Sequence, residues 1–314
     1  MEKDDEINKE MIKKGFEERY RKIFGPDYDL FLEYSFMFPR RAIRVNTLRG
    51  SIQEVKEELG KIWKLEPIPW CKEGFWIEGE RRDIGNHLFH QLGKYYVQEP
   101  ASMIPAIALG PQPDEFVIDM AAAPGSKTTQ IAAMMKNRGC IIANEIDTKR
   151  LKMLNSNLQR CFVMNTIITN MNGIAFANKK MRFDRVLIDA PCSGTGTIRK
   201  SFLTLRMWNE RMIEKLSRLQ LRLLENGFEI LKRGGVVVYS TCSLEPFENE
   251  RVISMFLKGR DDAIVEEIEM DVKRDRPILE FEGERYDNEV RKCLRISPQR
   301  NNTDGFFVCR IKKK

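Results

Sequence analysis

Apolar positions at Ile7, Met11, Ile12, Phe16, Tyr20 and Ile23 recur at helical spacing and predict an amphipathic helix near the start of the chain. Residues 41–46 then read as a strand, and Ser51-Ile52-Gln53-Glu54 is a capping-box pattern opening a helix to about residue 61. Strand-like pieces follow at 65–68 and 75–77, so this first stretch predicts a small α/β unit. From Gly93 the pattern alternates. Strands are expected at 116–119, 141–145, 166–169, 186–189 and 236–240, with helices at 128–135, 148–158 and 207–231. Such alternation predicts a doubly wound α/β fold, a mostly parallel sheet with helices on both faces. Residues 306–311 read as a further strand, the acidic stretch 280–289 as an exposed loop, and Lys312-Lys313-Lys314 as a frayed tail.

Composition narrows the class. With 42% hydrophobic residues in 314, the chain has enough apolar material for a sizeable core. No apolar run reaches membrane-spanning length, and Met-Glu-Lys-Asp-Asp lacks a signal-peptide pattern, so a cytoplasmic protein with no membrane partner is expected. Seven cysteines without a Cys-x-x-Cys pair argue for reduced thiols rather than a disulfide framework. Only His87 and His90 could supply imidazole, and neither lies near a strand-end cysteine; no metal site is expected, and both read as surface or packing residues. The net charge of +7 suits a polyanionic partner without requiring one.

Candidate chemistry gathers at the ends of the predicted strands. Phe116-Val117-Ile118 leads into the small-residue turn Asp119-Met120-Ala121-Ala122-Ala123-Pro124-Gly125-Ser126-Lys127-Thr128, where backbone N–H groups can approach a ligand closely. The turn is neither a dinucleotide fingerprint nor a P-loop. The next strand ends in Glu145, an acid suitably placed for ribose hydroxyls; the competing Asp147 opens a helix and suits a cap. Asn170-Met171-Asn172 ends the third strand, where an amide could meet an adenine edge. S-adenosyl-L-methionine fits this set better than NAD. Two thiols complete it: Cys192 in Asp189-Ala190-Pro191-Cys192 and Cys242 in Ser240-Thr241-Cys242-Ser243. A thiolate added to C6 of a cytosine makes C5 nucleophilic, so paired strand-end thiols beside a methyl-donor site suit pyrimidine-C5 chemistry. The other five, Cys71, Cys140, Cys161, Cys293 and Cys309, read as core.

The chain resembles the Sun-type family (Nol, Nop and Sun) of RNA (cytosine-5) methyltransferases, and within it the archaeal-like tRNA methyltransferases. The resemblance rests on Arg44-Val45-Asn46-Thr47, Val97-Gln98-Glu99-Pro100-Ala101-Ser102, the 119–128 turn, 189–196, 240–243, Glu248-Asn249-Glu250 and Thr303-Asp304-Gly305-Phe306-Phe307. It implies a Rossmann-like methyltransferase domain at 93–314 and an RNA-binding, RNA-recognition-motif-like domain at 1–92, although the aromatic signature of that motif is missing. It further implies that Cys242 is the C6 nucleophile, Cys192 assists breakdown of the covalent adduct, and Asp189 contacts the cytosine at N3 and N4. Lys127 would bridge cofactor and catalytic residues. Ala121, Ala122, Ala123, Pro124, Gly125, Ser126 and Lys127 would hold S-adenosyl-L-methionine, with Glu145, Arg150, Asn172 and Asp189 completing the cofactor set. Three positions depart from the family pattern: Asn172 stands for Asp, Ser126 for Gly and Met120 for Cys. The implied partner is RNA, transfer RNA before ribosomal RNA, with no DNA and a monomeric state. Basic residues offered for phosphate contact are Arg199, Lys200, Arg206, Arg295 and Arg300. Competing readings are a DNA enzyme, which would use the Pro-Cys thiol, and a non-catalytic RNA-binding or ribosome-assembly factor.

Overall fold

A computed structural model describes residues 12–81 and 83–314. The expected N-terminal helix runs over Lys14–Phe24; Ile7 and Met11 lie outside the described residues. It does not join the small unit. Phe16 and Tyr20 are fully buried with Phe31, Leu205, Trp208 and Leu244, which seats this helix and the next, Tyr28–Phe36, on the large unit.

The small sheet contains β1 (Arg41–Val45), β2 (Lys64–Ile68), β3 (Cys71–Glu78) and β4 (Tyr95–Val97), antiparallel in the order β2-β3-β1-β4. Helices Ile52–Leu59 and Leu88–Gln91 interrupt the strands, giving a split β-α-β arrangement. β4 lies beyond residue 92, so the sheet extends past the expected division. Alternation along each strand separates its faces. Ile43, Val45, Phe75, Ile77 and Tyr95 pack on Val55 and Leu59, while Ala42 and Trp76 pack with Ala106, Leu109 and Met135 of the large unit. Both faces are covered, which removes the open aromatic face on which RNA-recognition motifs stack bases.

The large sheet carries β5 (Phe116–Asp119), β6 (Cys140–Asn144), β7 (Thr166–Thr169), β8 (Phe183–Asp189) and β9 (Leu231–Thr241), all parallel in the order β7-β6-β5-β8-β9. β10 (Ala263–Glu266), the short hairpin β11 (Glu280–Phe281) with β12 (Glu284–Arg285), and β13 (Leu294–Ile296) precede β14 (Phe306–Lys313). β14 runs antiparallel to β9, and β10 and β13 pair along its outer edge. Parallel strands covered on both faces need apolar residues at nearly every position. Val117, Leu187 and Val238 face Ile104, Ile131 and Met135, while Ile118, Ile188 and Tyr239 face Leu224, Phe228 and Val252. The strand order reverses at β5, so a crevice opens at the carboxyl ends of β5 and β8.

Three local expectations change. The stretch 207–231 is two helices, Leu203–Met207 and Glu210–Glu229, because Asn209 caps the second by accepting from Met212 N at 2.9 Å. The acidic stretch is not a simple exposed loop: its hairpin buries Phe281 and Tyr286, and Glu282 pairs with Arg19 at 2.6 Å. The lysine tail is not frayed. Lys312 and Lys313 pair with β10, and Lys313 Nζ donates to Phe228 O at 3.0 Å. No helix among the described residues is long and apolar enough to cross a membrane.

Candidate active site

The turn after β5 is held by its carbonyl groups. Arg150 Nη2 donates to Ala123 O at 2.5 Å, Asn157 Nδ2 to Pro124 O at 2.9 Å, and Tyr96 Oη to the same oxygen at 3.4 Å. Arg44 Nη2 reaches Ser126 O at 3.3 Å and Thr129 Oγ1 at 2.8 Å. Tyr96 and Arg44 come from the inner face of the small sheet, which therefore helps set the turn. Gly125 adopts φ 105°, and a Cβ there would lie 3.1 Å from Leu154 Cδ1. The helix Ser126–Met134 begins without a side-chain cap, leaving the N–H groups of its first turn for a ligand anion.

Two buried carboxylates face the same region. Asp119 accepts from Thr128 Oγ1 at 2.7 Å, but its Oδ1 has no hydrogen-bond partner, and burial pushes the group up to about 6. Glu145 accepts from Asp147 N at 2.9 Å; its Oε2 accepts no hydrogen bond and lies 3.3 Å from Arg150 Nη1. Asp147 is the helix cap, accepting from Lys149 N at 2.7 Å. Asn172 caps a 3₁₀ turn: its Oδ1 accepts from Ile174 N at 3.1 Å. Its amide nitrogen is the group left to meet a ligand. Free N–H groups, two buried carboxylate oxygens that accept no hydrogen bond and an amide donor fit a ligand bearing a carboxylate and ribose hydroxyls.

The parallel register of β8 on β9 sets Asp189 opposite Ser240 and brings the following loops together. Cys192 Sγ and Cys242 Sγ lie 3.3 Å apart. Contact with Cys242 and burial raise the Cys192 thiol well above its ordinary value. Lys127 Nζ donates to Asp189 Oδ2 at 2.7 Å, and Ser240 Oγ donates to Oδ1 at 2.9 Å. Thus Lys127, Asp189, Cys192 and Cys242 meet in one crevice with the turn.

Sequence reasoning did not single out Glu248, which joins the two thiol loops. This fully buried carboxylate accepts from Ser193 N at 2.9 Å, Ser193 Oγ, Ser243 Oγ at 2.5 Å and Gln220 Nε2 at 2.9 Å. Gln220 also donates to Pro191 O at 2.9 Å. Nearby, Glu99 accepts from Asp304 N at 2.8 Å and Ser102 N at 3.0 Å; burial and then Asp304 push it up to about 7. Both acids lie in segments that carried the resemblance, but local pattern does not reveal a buried charge.

The family model for 16S rRNA methyltransferase RsmB/F matches residues 106–312, and that for the N-terminal domain of 16S rRNA methyltransferase RsmF matches residues 12–100. The chain belongs to the RsmB/F methyltransferase family. It is similar to the tRNA (cytosine(49)-C(5))-methyltransferase of Pyrococcus abyssi, with 44% identity over 308 residues, 98% of this chain and 96% of that one. Ribosomal RNA small subunit methyltransferase F of Aliivibrio fischeri is 42% identical over 286 residues, covering 87% of this chain but 58% of that protein. The chain thus spans little more than half of that relative. A crystal structure of a methyltransferase homologue from Pyrococcus horikoshii superposes with a TM-score of 0.86 at 36% identity, covering 95% of this chain and 94% of that one.

In this RsmB/F-family chain several residues offered for RNA phosphates serve the fold instead. Arg295 and Glu250, both buried, pair at 3.0 Å. Arg199 is buried and donates to Thr303 O, Phe38 O and Asn302 Oδ1. Lys200 pairs with Asp304 at 2.5 Å, and Arg300 with Asp27 and Asp275. Arg206 alone of the five is exposed without a described partner. Cys71, Cys161, Cys293 and Cys309 are buried and Cys140 is half-buried, away from the paired thiols. Among the described residues no group of His, Cys, Asp and Glu is arranged to hold a metal ion.

Proposed function

We propose that this chain transfers a methyl group from S-adenosyl-L-methionine to C5 of a cytosine in structured RNA, with transfer RNA as the substrate class. The observation that carries it is the 3.3 Å approach of Cys192 and Cys242 beside the Lys127–Asp189 pair. The end-to-end match to the Pyrococcus abyssi tRNA enzyme, against 58% coverage of the ribosomal RNA enzyme, supports transfer RNA. Seven free cysteines fit a reducing, cytoplasmic setting, and the reading is of a monomer acting on RNA and not DNA.

Turn residues 121–127 would hold the methionine portion of the cofactor, Glu145, steadied by Arg150, the ribose, and Asn172 the adenine edge. When bound, S-adenosyl-L-methionine supplies an electrophilic methyl group. Cys242 acts first: its thiolate forms a bond to C6, and the C5–C6 π pair moves onto C5. Asp189, oriented by Lys127 and Ser240, holds the base edge at N3 and N4. After methylation, the C5 proton leaves through a base to solvent. Its bonding pair restores the C5–C6 double bond, and the C6–S pair returns to Cys242. Cys192, in contact with that sulfur, assists this release. A cytosine paired in a duplex must be extruded first, which favours a loop or junction target.

Radiolabelled S-adenosyl-L-methionine with separate tRNA, rRNA and DNA pools tests the reading, the labelled nucleoside being identified after hydrolysis. 5-Methylcytosine from tRNA is expected; label from rRNA alone overturns the substrate class. Cys242→Ala should abolish transfer, and Cys192→Ala should accumulate a covalent protein–RNA adduct on denaturing gels. An adduct with the Cys242 variant instead reverses the two roles.

A further inference from the structure

Phe38 is 91% exposed. Single apolar residues on a surface need no explanation, but this one is neither isolated nor loose. Its carbonyl accepts from Arg199 Nη2 at 2.9 Å, and the same buried guanidinium donates to Thr303 O at 3.1 Å and Asn302 Oδ1 at 3.0 Å. Arg199 belongs to the turn Thr195–Lys200, just after Cys192, and within that turn Gly196 N donates to Cys242 O at 2.9 Å. Thr303 leads into β14, whose Phe307 pairs with Thr241. Phe38 is therefore tied to the loops that carry both thiols, which follow β8 and β9 beside the crevice at the carboxyl ends of β5 and β8.

Its neighbours suit a nucleic acid. Met37, Leu203 and Met207 are exposed, and the rings of Phe36 and Phe202 meet at 5.6 Å between the two segments. Arg206 is exposed on the same stretch, and the Lys200 side chain is 43% exposed while pairing with Asp304. Apolar and aromatic surface with adjoining positive charge is how proteins hold unpaired nucleotides, because every base has a face to stack and a phosphate to balance. Extruding the target cytosine also leaves its neighbours with open faces. The face of the small sheet that would otherwise offer aromatic stacking is covered by the large unit.

We propose that Phe38 is a base-stacking platform for an unpaired nucleotide flanking the target cytosine; this rests on the reading that the substrate is RNA. The test measures binding of unfractionated tRNA and of 16S rRNA by Phe38→Ala, Phe38→Leu and Phe38→Trp, beside the parent chain. For whichever RNA the parent binds, Phe38→Ala and Phe38→Leu should each weaken binding by about tenfold, the scale of one lost stacked base. Phe38→Trp should bind within about twofold of the parent, its added indole emission quenched by RNA. Melting temperature and S-adenosylhomocysteine affinity should not change in any variant. Parent-like binding by Phe38→Ala or Phe38→Leu overturns the platform, as does a large fall in melting temperature, which would make Phe38 a packing residue. A parent chain that binds neither RNA is a different result, because it defeats the functional reading itself.

Discussion

Lys127 and Asp189, 62 residues apart in the chain, meet in an ion pair of 2.7 Å, and the lysine also lies 5.4 Å from the centre of the Phe306 ring. The pair fixes the carboxylate that faces the proposed cytosine. Lys127→Ala leaves Asp189 with the Ser240 hydroxyl but without its cation. Single-turnover methyl transfer should fall by about 100-fold, the scale of losing one oriented electrostatic contact in a site. Stability should fall by only about 1–2 kcal/mol, because Asp189 stays partly solvated. Transfer within threefold of the parent would remove Lys127 from the machinery.

Gly125 marks where the turn needs a left-handed backbone. Gly125→Ala meets the φ 105° conformation and the 3.1 Å approach to Leu154 together. A cost of about 1–2 kcal/mol is expected from the backbone alone. Titration calorimetry with S-adenosylhomocysteine should show roughly tenfold weaker binding if that strain is relieved by moving the turn. Unchanged affinity would mean the turn's N–H groups do not hold the cofactor.

Asp119 predicts a pH effect. Burial raises it from 3.8 to about 6, so between those values the folded chain holds a proton that the unfolded chain has released. Stability from this group is highest below the lower value, falls as pH rises, and is fully lost above the upper one, a total of about 3 kcal/mol. Asp119→Asn has no charge to bury. Its melting temperature relative to the parent should rise from pH 4 to pH 7 and then level off; a difference independent of pH would contradict the assignment.

Glu248 should set the spacing of the thiols. Glu248→Ala strips the acceptor from Ser193, Ser243 and Gln220 and is expected to cost about 3 kcal/mol or more. Diamide-driven formation of a Cys192–Cys242 disulfide, mapped by mass spectrometry, should slow by tenfold or more. Glu248→Gln keeps an oxygen for the backbone N–H of Ser193, and the serine hydroxyls can turn to accept, so it should cross-link near the parent rate. Equal rates in all three proteins would leave the clamp without a role in spacing.

The basic residues separate by burial. Arg295→Ala strands Glu250 without its cation in the interior and should cost about 3–5 kcal/mol in denaturant unfolding. Arg206→Ala should change stability by less than about 0.5 kcal/mol, while lowering the salt dependence of RNA binding by about one phosphate contact. The reverse pattern would exchange their roles.

Much of the large sheet was legible in the sequence because parallel strands buried on both faces leave uninterrupted apolar runs, as in Val117-Ile118 and Val236-Val237-Val238-Tyr239. The small-residue turn and the two thiols were legible because they end such runs. The seat of the first helix was not: Phe16 and Tyr20 announce an apolar face but not Trp208 as its partner. Nor were Arg199, Arg295 and Glu248. Each is charged, local patterning assigns charge to the surface, and for each at least one partner arrives from 45 or more residues away.

The sequence by itself determined the periodicities, the chain order of strands and helices, the small-residue turn and the presence of two strand-end thiols. These depend on neighbours within a few residues. Only the tertiary structure decided that Cys192 and Cys242 stand 3.3 Å apart, that Lys127 reaches Asp189, and that the small sheet turns its second face onto the small-residue turn after β5. Those distances follow from the β8–β9 register, the reversal of strand order at β5 and the buried acceptor at Glu248. They arise when segments distant in the chain pack against one another, which local hydrophobic spacing does not encode.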